Sequence, residues 1–142
     1  MMLTRCQLPV MLVVEDNPAD VAFFREAMAA SQTDSDVHVV GDGNDAMRFL
    51  RREGGFANAP RPDVIVLDLN LPLKNGHEVM AELVADPALN TIPVAVLTTS
   101  TSEAFVCNAY PPGRCLYFTK TDDFERLQDI VRQIAAYANS AE

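Results

Sequence analysis

The chain has no long apolar run, since nowhere do about 18 consecutive apolar residues occur, the length needed to span a membrane as a helix. Basic residues are also few: 11 Lys and Arg stand against 20 Asp and Glu, which gives a formal net charge of −9. Because phosphate contacts need clustered Lys and Arg, this balance argues against a nucleic-acid-binding surface. Repeats, low-complexity tracts and interdomain linkers are absent as well. We therefore expect one globular domain over residues 1–142, with neither nucleic acid nor membrane as partner.

Cysteine is scarce, with only Cys6, Cys107 and Cys115. The number is odd, and the spacing is typical neither of a zinc site nor of a disulfide framework. The N-terminal segment MMLTRCQLPVMLVV runs directly into acidic residues without a small-residue cleavage site, so we interpret it as a first strand and not as a signal peptide. Both features predict a cytoplasmic protein with three inert thiols.

Short apolar segments alternate with helical ones along the whole chain. Near-continuous Val, Ile and Leu indicate parallel strands that are covered on both faces. Strict alternation of strand and helix predicts right-handed crossovers, and hence an α/β fold with a doubly wound, five-stranded parallel sheet between two helical layers. The predicted strands are 10–14, 37–40, 64–69, 93–98 and 115–119; the predicted helices begin at Asn17-Pro18, cover 45–52 and 76–85, and include a last helix capped by Asp122.

Proline interrupts the region in which a fourth helix is expected. Pro111 disfavours a helical conformation at Tyr110, so we expect this helix to end by about Ala109. The apolar side chains of Phe105, Val106 and Tyr110 form either a patch for a partner or part of the core, and the sequence leaves both readings open.

Polar residues follow the strands at their carboxyl ends, where open parallel sheets bind ligands. Three of them are carboxylates, and two unit charges 4 Å apart repel by about 4 kcal/mol at an effective dielectric constant of 20. We therefore predict a compensating cation, and oxygen ligands suit Mg²⁺ better than zinc. The strand-end residues are Glu15, Asp16, Asp68, Asn70, Thr98, Tyr117 and Lys120.

Asp68 directly follows the apolar run VIVL, in the segment VIVLDLNLP. With Mg²⁺ bound, its carboxylate is an oxygen nucleophile toward a phosphoryl group, while Thr98 and Lys120 contact the remaining phosphoryl oxygens. Catalysis of this kind depends mainly on positioning and electrostatics, which a small domain supplies. The sequence thus predicts that Asp68 is a phosphate acceptor.

Four motifs at fixed spacing carry a family resemblance. They are VVEDNPAD, VIVLDLNLP, PVAVLTTS and YFTK, with Thr98 lying 30 residues after Asp68 and Lys120 a further 22 residues on. In this order and spacing the chain resembles the receiver domain of two-component response regulators, whose fold is flavodoxin-like. More narrowly, it is similar to the single-domain regulators that partner phytochrome-type histidine kinases.

The resemblance implies a role for each site residue. Asp68 accepts phosphate from a histidine kinase, Thr98 and Lys120 hold the phosphoryl oxygens, and Tyr117 is an aromatic switch. The implied Mg²⁺ ligands are Asp16 directly, Glu15 through water, Asp68, and the main-chain carbonyl of Asn70. No output domain is expected, so the resemblance implies signalling by protein contacts, with a homodimer through the fourth helix, the fifth strand and the last helix.

Two departures from the family pattern leave a second function open: Pro111-Pro112 in the region of the fourth helix, and the residue after the site lysine. The lysine is normally followed by a cis proline, but Thr121 stands here, and a non-proline cis bond costs about 3–4 kcal/mol. We therefore predict a trans Lys120–Thr121 bond and a loosened placement of Lys120. The alternative function is a degenerate receiver that acts as a phosphate-independent interaction module.

Two further rivals are weaker on the residues. A phosphatase of the haloacid-dehalogenase type needs a second Asp where this chain has Asn70, so we expect no turnover of an external substrate. A flavin-binding electron carrier needs a phosphate-cradling loop after the first strand, where Glu15 and Asp16 repel a phosphate.

Overall fold

A single parallel sheet organises the chain, and the computed structural model describes residues 8–99 and 102–140. The strand order is β2-β1-β3-β4-β5, and neighbouring strands are all parallel. This confirms the predicted doubly wound, flavodoxin-like sheet. The strands are β1 (Val10–Val14), β2 (Asp36–Val40), β3 (Val64–Leu67), β4 (Val94–Thr98) and β5 (Cys115–Thr119); the α-helices are α1 (Pro18–Ala30), α2 (Gly43–Arg51), α3 (Gly76–Ala85) and α4 (Phe124–Ser140); short 3₁₀ helices cover Gly54–Phe56 and Ala104–Ala109.

The core lies on both faces of the sheet. The central strands β3 and β4 are buried along their whole length, in agreement with their apolar sequences. On one face they pack against α2 and α3, and on the other against α1 and α4. None of the helices in the described part of the chain is long and apolar enough to cross a bilayer.

The helix starts are set by side-chain caps. Asn17 caps α1 as predicted, with its side chain accepting the main-chain N–H of Ala19 at 2.9 Å. Two other starts were predicted wrongly: Asp42 caps α2, so that helix begins two residues early, and Asp123 rather than Asp122 caps α4. In each case the carboxylate that caps reaches main-chain N–H groups two or three residues further on, which a composition pattern does not resolve.

The predicted fourth helix is the 3₁₀ helix Ala104–Ala109. It ends where expected, because Tyr110 is extended (φ −88°, ψ 154°) ahead of Pro111. The sequence left open whether its apolar residues belong to the core or form a patch for a partner, and the structure gives a different answer for different residues. Val106 and Tyr110 belong to the core, whereas Phe105 is 63% exposed.

The prediction of three free thiols was wrong. Cys107, in this 3₁₀ helix, and Cys115, the first residue of β5, form a disulfide across eight positions of sequence. The pairing depends on the turn at Tyr110, which brings the 3₁₀ helix back beside β5. Sequence spacing alone does not show that turn. Cys6 lies outside the described residues.

Candidate functional site

Three carboxylates meet at the carboxyl ends of β1 and β3. The two strands are neighbours in register, with Val14 opposite Leu67, so the residues that follow them lie side by side. The main-chain N–H of Asp68 donates to the carbonyl oxygen of Val14 at 3.1 Å. One carboxylate oxygen from each of Glu15, Asp16 and Asp68 lies within 4.8 Å of the other two. The structure therefore brings together the acidic residues that the sequence predicted to converge.

Burial differs among these acids. Asp68 and Glu15 are 5% and 8% exposed, whereas Asp16 is open to solvent. Burial raises the pKa of the Glu15 carboxyl, although the hydrogen bonds it accepts from Lys120 and from the main-chain N–H of Asn17 act in the opposite direction. The nearby charge of Asp68 adds to the rise.

The ammonium of Lys120 lies between carboxylates from three elements. Its Nζ is 2.5 Å from Glu15 Oε1, 2.8 Å from Asp20 Oδ2 and 3.1 Å from Asp68 Oδ2. Burial lowers the pKa of Lys120, but the three carboxylates outweigh it and raise that pKa above its ordinary value. Lys120 therefore offsets part of the negative charge of these carboxylates, a role that the sequence analysis gave to Mg²⁺ alone.

The bond after Lys120 confirms one prediction and overturns another. No peptide bond in the described residues is cis, so Lys120–Thr121 is trans as predicted. The expected loosening is wrong, because the side chain is held by ion pairs and the main-chain N–H of Lys120 donates to the carbonyl of Thr98 at 2.7 Å. The ion pairs fix the lysine without any help from a proline.

Asp20 is a site residue that the sequence analysis missed. It lies in the first turn of α1, four residues after Asp16, and its side chain is 41% exposed. Asp20 is three residues after the N-cap Asn17, so it lies at the N-terminal end of α1, where its carboxylate contacts Lys120. Asp20 is part of the motif VVEDNPAD, but the sequence does not show its ion pair, because its partner Lys120 is 100 residues away.

Thr98 combines complete burial with an unsatisfied hydroxyl. It is 0% exposed, and its Oγ1 has no hydrogen-bond partner among the described residues. Leaving a buried polar group unpaired costs about 1–3 kcal/mol. A hydroxyl held in this way at the strand end is ready to donate to an incoming oxygen.

Asn70 lies beside the acidic cluster, whereas Tyr117 lies on the edge strand β5. The main-chain N–H of Asn70 donates to Asp68 Oδ1 at 3.1 Å, and its side-chain amide donates to Thr99 Oγ1 at 3.4 Å. Tyr117 is half-buried and packs against the core cluster on the α2 and α3 face. Asn70 therefore fixes the Asp68 carboxylate, whereas Tyr117 contacts the protein interior.

Gly76 is the second residue that sequence reasoning missed. It opens α3, behind the capping residue Asn75. A Cβ added to Gly76 would lie 2.5 Å from both the carbonyl oxygen of Asp68 and the Cα of Leu69. The absence of a side chain lets α3 approach the acceptor segment directly. The available sequence signal for this close approach was a glycine directly after the capping residue Asn75.

The donor set fits a hard divalent cation. Carboxylate oxygens from two strands, with a main-chain carbonyl available at Asn70, are the ligands that Mg²⁺ and Mn²⁺ prefer. Neither Cys nor His belongs to this cluster. The Thr98 hydroxyl and the Lys120 ammonium then complete a site suited to the oxygens of a phosphoryl group.

Comparisons with known proteins agree with this geometry. Residues 11–132 match the family described as the response regulator receiver domain. The response regulator Rcp1 of Synechocystis sp. is 41% identical over 128 residues, which are 90% of this chain and 87% of that protein.

Solved structures show the same likeness. The crystal structure of the phosphorylated cyanobacterial phytochrome response regulator RcpA is 42% identical, with a TM-score of 0.81 over 96% of this chain and 97% of that chain. The crystal structure of the Mn²⁺-bound form of Rcp1 is 40% identical, with a TM-score of 0.77 over 90% of this chain and 92% of that chain.

Proposed function

This chain belongs to the response regulator receiver domain family, and from that premise we propose that Asp68 accepts a phosphoryl group from a histidine kinase in a Mg²⁺-dependent reaction. Receiver domains bind a divalent metal and interact with histidine kinases. The observation that carries the proposal is the placement of Asp68: a 5% exposed carboxylate beside two other acids and within 3.1 Å of the Lys120 ammonium.

Four residues are assigned to the metal. Asp16, Glu15 and Asp68 offer carboxylate oxygens, and Asn70 offers its main-chain carbonyl. When bound, Mg²⁺ offsets negative charge on the oxygens of the transferred phosphoryl group. Asp16, as the exposed member, is the first contact for an ion that arrives from solvent.

The chain's own residues then carry out the transfer. An oxygen of Asp68 forms the O–P bond while the N–P bond of the donor phosphohistidine breaks, and the imidazole departs with the electron pair of that bond. The Asn70 N–H holds the carboxylate in place at Oδ1. Lys120 exchanges a carboxylate contact for a phosphoryl oxygen, and the buried Thr98 hydroxyl donates to another. Tyr117 then reports the change as a switch of rotamer.

The partners follow from the same premise. We assign a phytochrome-type histidine kinase as the donor, supported by the likeness to RcpA. Transfer from such a kinase in vitro must be faster than transfer from an unrelated histidine kinase.

We also propose that the reaction takes place in the cytoplasm, because the kinase uses ATP. No turnover of an external substrate follows, because Asn70 lacks the acid–base group that a phosphatase of this chemistry needs at that position.

A homodimer is part of the proposal. Its face is formed by the 3₁₀ helix Ala104–Ala109, β5 and α4. β5 is an edge strand and half-buried along its length, and Phe105 of the 3₁₀ helix, whose ring stacks on His77 of α3, is 63% exposed. Such a surface supports pairing of two copies.

Intact mass spectrometry after incubation with a small acyl phosphate and Mg²⁺ tests the acceptor. We expect a gain of one phosphoryl group in the wild type and in Asp34→Asn, an exposed control with the same charge change, and no gain in Asp68→Asn. Chelation of the metal must abolish the gain. No gain in folded wild-type protein with bound Mg²⁺ would contradict the proposal and leave the phosphate-independent interaction module as the function.

A further inference from the structure

A disulfide joins two of the three elements of the proposed dimer face. Cys107 belongs to the 3₁₀ helix Ala104–Ala109, and Cys115 is the first residue of β5. Both residues are partly buried and pack against the core cluster on the α2 and α3 face, yet neither is closed off from solvent. Because neither residue is fully buried, we expect a thiol reagent to reach the bond.

A second anchor holds the connecting loop independently of the disulfide. The buried hydroxyl of Tyr110 donates to the carbonyl of Ile92 at 2.7 Å, and the main-chain N–H of Arg114 donates to the carbonyl of Pro111 at 3.0 Å. Opening the disulfide therefore leaves the path of the loop in place. What opening releases is the link between the 3₁₀ helix and β5.

β5 connects that link to the phosphoryl site. Cys115, Tyr117 and Thr119 alternate along β5, so their side chains point to the same side of the sheet. At the far end Thr119 pairs with Thr98 in register, and the next residue is Lys120. The disulfide thus fastens the segment that follows β4 to the strand that carries the switch tyrosine and leads into the site lysine.

We propose that Cys107–Cys115 is a redox-reversible link that determines whether the 3₁₀ helix moves when Asp68 is phosphorylated. This rests on the proposed function. In a compartment kept reducing, disulfides are transient and act as sensors rather than as permanent staples. In the oxidised form, the disulfide holds the 3₁₀ helix on β5. In the reduced form, the 3₁₀ helix is free to move together with Thr98 when Thr98 donates to the phosphoryl group.

The switching step is thiol–disulfide exchange with a dithiol reductant. A thiolate of the reductant attacks one sulfur of the pair, the S–S bond breaks, and a mixed disulfide forms. The second thiol of the reductant displaces the remaining sulfur. The protein gains two electrons and two protons as Cys107 and Cys115 become thiols, and the dithiol is oxidised to a disulfide.

Alkylation followed by intact mass measurement tests the bond itself. In protein purified without reductant and denatured, we expect one modified thiol, that of Cys6, and three after treatment with dithiothreitol. A Cys6→Ser variant must give none and two. Three modified thiols without reductant would overturn the proposal.

Amide hydrogen exchange of residues 102–119 tests the consequence. The samples are oxidised and reduced protein, with and without phosphorylation, beside a Cys107→Ser/Cys115→Ser variant that lacks the link. We expect phosphorylation to change exchange in the 3₁₀ helix at least threefold more in reduced than in oxidised protein, and the double variant to behave as reduced in either buffer. Equal responses of oxidised and reduced protein would contradict the proposal.

Failure of the proposed function is distinguished in the same experiment. If Asp68 takes up no phosphate, intact mass measurement shows no gain, and this result contradicts only the proposed receiver function. Reduction must still speed exchange in residues 104–109 of the unphosphorylated protein, as must the double serine variant. Equal hydrogen exchange of residues 104–109 in oxidised and reduced protein would contradict the redox link, whether or not Asp68 accepts phosphate.

Discussion

At the scale of single residues, Lys120 and a divalent cation compete for the same carboxylates. The ammonium contacts Glu15 and Asp68, which are two of the three acids in the candidate metal cluster. We predict that Lys120→Met lowers the metal-free unfolding free energy by about 3 kcal/mol, because it leaves buried carboxylates without their cation. The same change must raise Mg²⁺ affinity several-fold, measured by calorimetric titration alongside urea unfolding.

Lys74→Met is the matched control for this prediction. Lys74 also pairs with a carboxylate, that of Glu82, but outside the acidic cluster, and its side chain is 26% exposed. Its removal must leave Mg²⁺ affinity unchanged and cost less stability than removal of Lys120. Weaker Mg²⁺ binding in Lys120→Met would mean that the lysine organises the carboxylates for the metal and does not compete with it.

The residues that were predictable are those that parallel-sheet geometry places without further information. Asp68 and Lys120 follow recognisable apolar strands and Thr98 ends one, so the common edge of the sheet is enough to bring them together. Asp20 and Gly76 were missed for a different reason. Their roles depend on the orientation of a helix against the site, and a one-dimensional pattern does not fix that orientation.

At the scale of elements, the packing of α3 against the segment after β3 depends on Gly76. An added Cβ would stand 2.5 Å from the carbonyl oxygen of Asp68, and main-chain atoms cannot move aside as a flexible side chain does. We predict that Gly76→Ala lowers the unfolding free energy by about 2 kcal/mol. Because the clash acts on the acceptor residue itself, phosphorylation by a small donor must also slow.

Gly55→Ala provides the control in the same experiment. Gly55 lies in the 3₁₀ helix Gly54–Phe56, no heavy atom lies within 4 Å of a Cβ built there, and its φ is not in the left-handed region. Urea unfolding of the two variants separates the close contact from the general effect of replacing glycine. Equal stability of the two would show that α3 shifts freely away from Asp68.

Strands were easier to predict than the elements that join them. The limits of β1 and β5 agree with the prediction, and β2 and β4 each differ from it by one residue. β3 ends at Leu67, two residues before the predicted end. The end of the fourth helical segment was predicted correctly, but its 3₁₀ form and its disulfide were not predicted. Both depend on the path of the loop after Pro111, which contacts between distant residues determine.

At the scale of the whole molecule, buried protonated groups make the fold sensitive to alkali. Burial raises the pKa of Tyr110 above its ordinary value of 10.0, and the carboxylates around Lys120 raise the pKa of that lysine above 10.5 despite its burial. In each case the folded state retains a proton that the unfolded chain has released. Their contribution to stability is therefore complete below these ordinary values and is lost as the pH rises through the folded-state pKa values.

We predict that the unfolding free energy falls above about pH 10, by up to about 1.4 kcal/mol per pH unit for each group. Tyr110→Phe removes one of these protons and must flatten the alkaline slope. Tyr137→Phe must flatten it less, because Tyr137 is less buried and its pKa is raised to a smaller extent. Urea unfolding at steps from pH 8 to pH 11 measures the slopes. An unchanged slope in Tyr110→Phe would mean that the fold opens around this hydroxyl before it ionises.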